Sequence, residues 1–448
     1  MLFFANGGGA CYIVSVGSYK DALKKDSMIT GLGKLTLEQE ITLVAIPEAV
    51  NLSSSEEFKD IQQQMLSHCG NTMKNRFALL DIYPKANEKT KIEDQVNFFC
   101  DNIGSSFLSY GAAYFPWLNT SIVGERDLKG DMFTWTDNAY IHRTQLDAGF
   151  AEIVESLFVE EFEIKENVVK NGHTFKLEEV VEGDIYADSD TEKTKVIGRI
   201  ESIKDIKEDG NEEVIKKNVK VVWLFPNNVD KQALHQALYN VSSVYKQAIK
   251  GVLKNLNLFP PSAAMAGIYT MVDNSRGVWK APANVTLNYV GSTVEDIDDE
   301  QQAELNVPIH GKAVNVIRLF RGEGVKVWGA RTLDGNSLDW RYVNVRRTLL
   351  FLEESIKNAA RAYVFEPNDA GTWINMKCMI DSFLRSVWKR GGLAGATPED
   401  AFEVHIGLGD TMTAEDILDG IMRITVLVAV THPAEFIEIT FQQQAQKS

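Results

Sequence analysis

The spacing of apolar residues changes along the chain. Between residues 10 and 117, short apolar runs alternate with amphipathic stretches. Cys11–Val16, Ile41–Pro47, Phe77–Asp81 and Gly111–Pro116 read as strands, and 54–68 and 91–108 read as helices. Over 54–68, Ser54 suits a cap and Glu57 stands at the capping-box offset. Phe58, Ile61 and Met65 fall on one face. Strands that are apolar on both faces and joined by helices predict a parallel sheet covered on both sides. From Leu118 to about Leu258 the texture turns to β-alternating pieces such as Val219–Phe225. An amphipathic helix follows over 229–255, through Leu234, Leu238, Val241, Val244 and Ala248. Sheet texture returns at Ala266–Tyr269, and strands are predicted at Val314–Phe320 and Val325–Trp328.

The C-terminal third reads as mixed. A helix is predicted from about Tyr342 to Ala362 through Val345, Leu349, Leu352 and Ile356. A second is predicted from Ala370 to Arg390, capped by Asn368 or Asp369 and stopped at Gly391-Gly392. Its apolar stripe is Trp373, Met376, Ile380, Phe383 and Val387. Thr397–Asp400 and Asp410–Asp419 hold shorter helical turns. Ile421–Val430 and Phe436–Phe441 read as closing strands. The last strand has no clear hairpin partner beyond Ile421–Val430. It is either a sheet edge at home or an arm that joins a neighbour's sheet.

Composition narrows the function. The 448 residues are 44% hydrophobic and 24% charged, an ordinary globular balance. Net charge is −16, from 46 Lys+Arg against 62 Asp+Glu. Residues 151–220 alone hold 19 acids and 11 bases, so about half of the excess lies there. Such acidity disfavours phosphate-backbone binding and docking on anionic lipid. No apolar run approaches the about 20 residues of a spanning helix, and Met1–Phe4 lacks the basic and apolar regions of a signal peptide. We therefore expect no nucleic acid and no membrane insertion. Four isolated cysteines, with no CxxC, read as buried reduced thiols.

No catalytic template fits. Gly7-Gly8-Gly9 precedes a predicted strand instead of following one and opening a helix, so it reads as a tight turn with positive φ. The seven histidines form neither HExxH nor a short pair. The acidic run 295–300 lacks the glycine and terminal Glu of a calcium loop, and no GxSxG occurs. We expect no cofactor, no metal and no enzyme activity. What stands out is backbone-shaping: Phe259–Ser262, Arg276–Asn284 and Gly322–Leu333 are rich in Gly, Pro, Trp and Asn.

Six segments, in order, resemble the contractile tail sheath family of phages, R-type tailocins and phage-tail-like injection systems. They are Phe3–Tyr12, Arg276–Asn284, Val327–Leu333, Trp340–Arg347, Phe365–Asn368 and His432–Ile437. The resemblance covers 3–117 and 259–448. It implies an α/β fold: a subtilisin-like α/β domain without an active site (1–117 and 259–335), a mostly β inserted outer domain (118–258), a compact α+β C-terminal domain (336–432) and a C-terminal arm strand (433–448). Phe436, Ile437, Ile439 and Phe441 would be the arm residues that add to a neighbour's sheet. Family members carry a substantial segment, including an N-terminal arm, before the motif that here starts at Phe3; that departure points to a fragment or an omitted start. The insertion is also longer than the link in compact members, and its acidity would keep assembled particles apart.

The implied function is structural: copies stack around an inner tube, and contraction from a metastable extended state drives that tube through an envelope without ATP. Partners would be further copies, the inner tube protein, and baseplate and terminal cap proteins, assembled in the bacterial cytoplasm into a phage-tail-like particle or virion. An injection system is preferred over a phage tail or tailocin. Lys377, Arg385, Lys389 and Arg390, on the polar side of the 370–390 helix, are candidates to face the tube; the bland reading is a solvated helix end suited to the macrodipole. Two other classes stay open: a subtilisin-like hydrolase, which needs Ser, His and Asp to converge, and a stand-alone binding protein that uses 118–258.

Overall fold

A computed structural model of the chain describes residues 1–18, 20–83, 92–133, 159–170, 173–182, 185–188, 195–207, 214–223, 231–241, 243–307 and 311–435. The chain divides into two compact units, Met1–Ile122 with Asn257–Ser448, and Val123–Leu256.

The first unit is built on a six-stranded sheet, in the order Leu43–Ala45, Phe77–Leu80, Gly111–Phe115, Val314–Phe320, Gly324–Val327, Val285–Thr286. The first four strands are parallel and the last two antiparallel. Phe77–Leu80 and Gly111–Phe115 are buried at every position, as central strands covered on both faces must be. The pleat sorts their side chains. Ala78, Leu80, Ala113 and Phe115 pack with Phe58, Ile61, Met65 and Phe99. Phe77, Leu79, Ala112 and Tyr114 pack with Met265, Ile268, Tyr269 and Val272.

Several local readings need correction. Cys11–Val16 forms no strand: it is irregular and largely exposed, so Gly7-Gly8-Gly9 does not lead into one. Gly7 does take φ +96°, but it closes a helical turn, Leu2–Ala5. Ala266–Tyr269 lies inside a helix, Ser262–Arg276. Its small residues serve close packing: a Cβ on Gly267 would collide with the carbonyl oxygen of Phe3, at the turn stapled by Asn6 to Asn288. Ser54 caps its helix by accepting from the Glu56 amide, and no reciprocal bond from Glu57 forms. Cys69 and Cys100 are buried, but Cys11 and Cys378 are exposed.

Beyond the sheet, helices Val343–Ala360 and Ala370–Lys389 pack with a two-stranded antiparallel sheet, Phe402–His405 with Thr425–Val428. Leu352, Met376, Ile380, Leu384, Val387 and Val404 form that cluster. Asp369 caps the second helix by accepting from the Thr372 amide, and Gly391, at φ +84°, ends it. Strand 402–405 follows a four-residue helical turn with a Thr397/Asp400 capping box.

The second unit holds a four-stranded antiparallel sheet, in the order Val159–Ile164, Val214–Trp223, Lys195–Lys207, Ile185–Asp188, and a hairpin, Asn167–Lys170 with His173–Lys176. Ile164, Phe175, Val180, Ile200, Val219 and Val221 form its core. In place of one helix over 229–255 there are two, Lys231–Val241 and Ser243–Leu256.

Candidate functional site

A hydrolase requires Ser, His and Asp to converge, and the fold does bring one Ser–Asp pair together. Asp81 leaves the end of strand 77–80 and meets the first turn of helix 262–276. The Ser262 amide donates to Asp81 Oδ1 at 2.8 Å, and Ser262 Oγ donates to Oδ2 at 2.5 Å. Both residues are buried, and burial pushes the Asp81 carboxyl up to about 7. Ser262 spends its proton on Asp81, and among the described residues no histidine nitrogen receives it. The buried His68 is bonded to Arg76 at 2.8 Å, and burial pushes it down to about 4. The Asp81–Ser262 pair is therefore a staple between a strand end and a helix start. Among the described residues no His/Cys/Asp/Glu group could hold a metal ion, and no helix is long and apolar enough to cross a membrane.

The motifs converge elsewhere, at the C-terminal segment. Val430 bridges Leu393, and the Ala394 amide donates to Ala429 O at 2.8 Å. Asn344 Nδ2 donates to the carbonyls of Thr431 and Trp279 at 2.9 and 3.0 Å. His432 meets the Tyr342 ring edge-on at 5.9 Å. Glu435 then takes both nitrogens of the Arg331 fork, at 2.6–3.1 Å, and the Tyr342 hydroxyl at 3.1 Å. Arg331 is only 3% exposed. Its backbone is held by Asn315, which accepts from Arg331 N at 2.6 Å and donates to Arg331 O at 2.7 Å; Nη1 donates to Asn306 O at 2.8 Å. Stripping one partner from such a buried pair costs about 3–5 kcal/mol, because the other charge stays buried alone. The segment is thus pinned up to Glu435. The candidate arm residues Phe436, Ile437, Ile439 and Phe441 lie outside the described residues.

Sequence reasoning missed this clamp. The signal was present as three separated motifs, 327–333, 340–347 and 432–437, that supply Arg331, Tyr342 and Glu435. Two arginines of 340–347 face inward as well. Arg346 is sandwiched between Tyr110 and Trp340 at 3.8 and 4.5 Å. Arg347 grips Asp273 at 2.5 and 2.8 Å and lies 4.8 Å from the Tyr269 ring centre.

Beside the pinned segment lies the 402–405/425–428 sheet. It has two strands only, so among the described residues both of its outer edges lack a strand partner. Lys377, Arg385 and Lys389 are exposed on the 370–389 helix, within about 120° of one another at 3.6 residues per turn. Arg390 stands apart from them, 5.2 Å over the Trp279 ring. It lines a cleft of about 380 Å³ with Phe77, Val278, Trp279, Leu350 and Phe351; the Arg347–Asp273 pair also lines it.

Residues 336–444 match the family model described as phage tail sheath C-terminal domain. The chain is 25% identical, over 30% of its length, to the tail sheath protein of Vibrio phage KVP40. It is 29% identical, over 22% of its length, to a putative prophage major tail sheath protein of Pseudomonas aeruginosa. These matches span a fifth and a quarter of those relatives. Solved structures of the anti-feeding prophage align over 99% of the chain at 25% identity. The helical sheath in its contracted state gives a TM-score of 0.55 with 80% of that chain covered, and the baseplate gives 0.56 with 79% covered. These relatives are sheath proteins and not enzymes. The C-terminal motifs thus lie in a segment matched by the phage tail sheath C-terminal domain model, and nearly the whole chain is similar to the contracted sheath of the anti-feeding prophage.

Proposed function

We propose that the chain is the structural subunit of a contractile sheath. Copies stack around an inner tube, are closed at the two ends by baseplate and cap proteins, and drive the tube through a target envelope. The pinned segment ending at Glu435, beside a sheet with two open edges, carries this reading. Residues 436–441 of one copy add as a strand to the 402–405/425–428 sheet of a neighbour, as main-chain pairing allows for any exposed edge. The clamp at Glu435 fixes where that arm begins, so tension on the arm is passed to Arg331 and the six-stranded sheet.

The parallel sheet then serves as a subtilisin-like scaffold without a working site, with Asp81 and Ser262 kept as a staple. Lys377, Arg385 and Lys389 are the surface offered to the tube, whose grip must be weak enough to release. Contraction is a rigid-body rearrangement from a metastable state and uses no nucleotide. The particle is an injection system of the anti-feeding-prophage kind, assembled in the bacterial cytoplasm. Alignment over nearly the whole chain supports this subtype over a phage tail.

The test is negative-stain electron microscopy of the purified full chain, expressed with and without its neighbouring tube gene. Hollow cylinders of fixed diameter are expected. Extended cylinders assembled on the tube should shorten under mild denaturant with no nucleotide present. Discrete monomers in every condition would sink the reading.

A further inference from the structure

The Phe365–Asn368 motif is not used by the clamp, the open sheet or the basic stripe. Phe365 is fully exposed (103%) and sits at φ +71°, a region costly for a bulky side chain. The backbone holds it there. The Val364 amide donates to Arg361 O, and the Glu366 amide donates to Tyr363 O. Pro367 follows, and then Asn368, which accepts from Trp373 Nε1 at 2.7 Å and donates to Ile421 O at 3.2 Å. Val364, Leu418 and Ile421 are exposed apolar residues of the same two segments. These bonds hold the loop backbone in the conformation that presents the ring to solvent, so part of the ordering cost of a contact is already met.

The same chain carries a matching recess, the 380 Å³ cleft described above. Its volume lies in the range of binding clefts, about 300–1,000 Å³. Its walls are mixed: Phe77, Val278, Trp279, Leu350 and Phe351 supply an apolar patch, and polar residues such as Gln39, Asn75 and Asn358 line the rest. Charge is complementary too. The knob is flanked by three exposed acids, Glu366, Asp369 and Asp419, and by one exposed cation, Arg361, which donates to Gln39 Oε1 at 3.2 Å. Arg390 lines the cleft, and Arg276 and Lys280 adjoin its lining segments. The carboxylates within the cleft are engaged, Asp273 by Arg347 and Glu354 by Lys357 at 3.4 Å.

We propose that the Phe365 loop of one copy seats in the Trp279–Phe351 cleft of a second copy. The contact is heterologous: knob and recess are different surfaces of one chain, so repetition gives rings or an open helical array and not a closed dimer. This inference rests on the sheath reading, because it needs copies to meet.

The test uses the full chain with exposed Cys11 and Cys378 replaced by serine. Phe365→Cys and Ser355→Cys, the latter in the cleft wall, are placed in separate chains and mixed under assembly conditions with mild oxidant. Disulfide-linked dimers are expected only in the mixture, because the two Cα atoms must come within about 7 Å. Phe365→Cys dimers formed alone, or cylinders without the cross-link, overturn the contact. In parallel, Phe365→Ala should raise the concentration needed for assembly about tenfold with an unchanged thermal midpoint; unchanged assembly overturns it. If the unaltered chain forms no cylinders, the sheath reading fails, and this contact with it.

Discussion

At the scale of single residues, the chain spends its polar chemistry on holding itself together. Arg331, Arg346, Arg347, Asp81 and His68 are all buried, and each has a named partner. Asp81 gives a pH signature. Its folded carboxyl is raised to about 7 by burial, against about 3.9 in an unfolded chain. A raised acid binds its proton more tightly when folded. Its contribution to stability is therefore fully present below about pH 4 and is lost as pH rises through about 7. The size of the loss is on the order of 4 kcal/mol. Asp81→Asn removes the titration. The thermal midpoint of the unaltered chain should fall relative to that of the variant between pH 4 and 7. Parallel curves across that range would show that Asp81 is ionised in the fold at all these pH values.

At the scale of elements, legibility followed burial pattern. The two central strands were readable because every position is apolar, and helices 55–67 and 370–389 because their apolar stripes keep a 3.6-residue period. Helix 262–276 was misread where Ala263, Ala264, Ala266 and Gly267 dilute that period. Small residues there are chosen for close approach to the 2–5 turn, a tertiary reason that periodicity does not register. Cys11–Val16 erred the other way: among the described residues its apolar run pairs with no strand. Strand 402–405 was hidden between two short capped turns, and its partner 425–428 lies some twenty residues away. The clamp was invisible for a similar cause, since Arg331 and Glu435 are 104 residues apart. Gly267 makes the packing claim testable. Gly267→Ala would normally favour a helix by about 1 kcal/mol. Here the methyl meets backbone at the Phe3 carbonyl, so the net effect should be a loss of about 1–3 kcal/mol, read by denaturant titration. A gain in stability would show that the N-terminal turn moves aside freely.

At the scale of the whole molecule, the two units are joined in a way that makes them separable. Leu118 pairs with Phe259, and the Thr120 amide donates to Asn257 O at 2.8 Å, so the chain leaves the first unit and returns to it on adjacent strands. The intervening 123–256 is, for the first unit, one long loop, and shortening a loop lowers its closure entropy. Replacing 123–256 by a short Gly/Ser turn should leave the first unit folded, with its melting midpoint moved by no more than a few degrees. If the lattice is built from the clamp, the open sheet and the Phe365 knob, all in the first unit, the shortened chain should also still form cylinders. These should clump more readily at low salt, because about half of the net negative charge has been removed. Melting by circular dichroism and negative-stain imaging separate the outcomes. A folded chain that no longer assembles would place a copy-to-copy contact in the second unit and move the search for lattice contacts there. Loss of folding would show that the second unit stabilises the first.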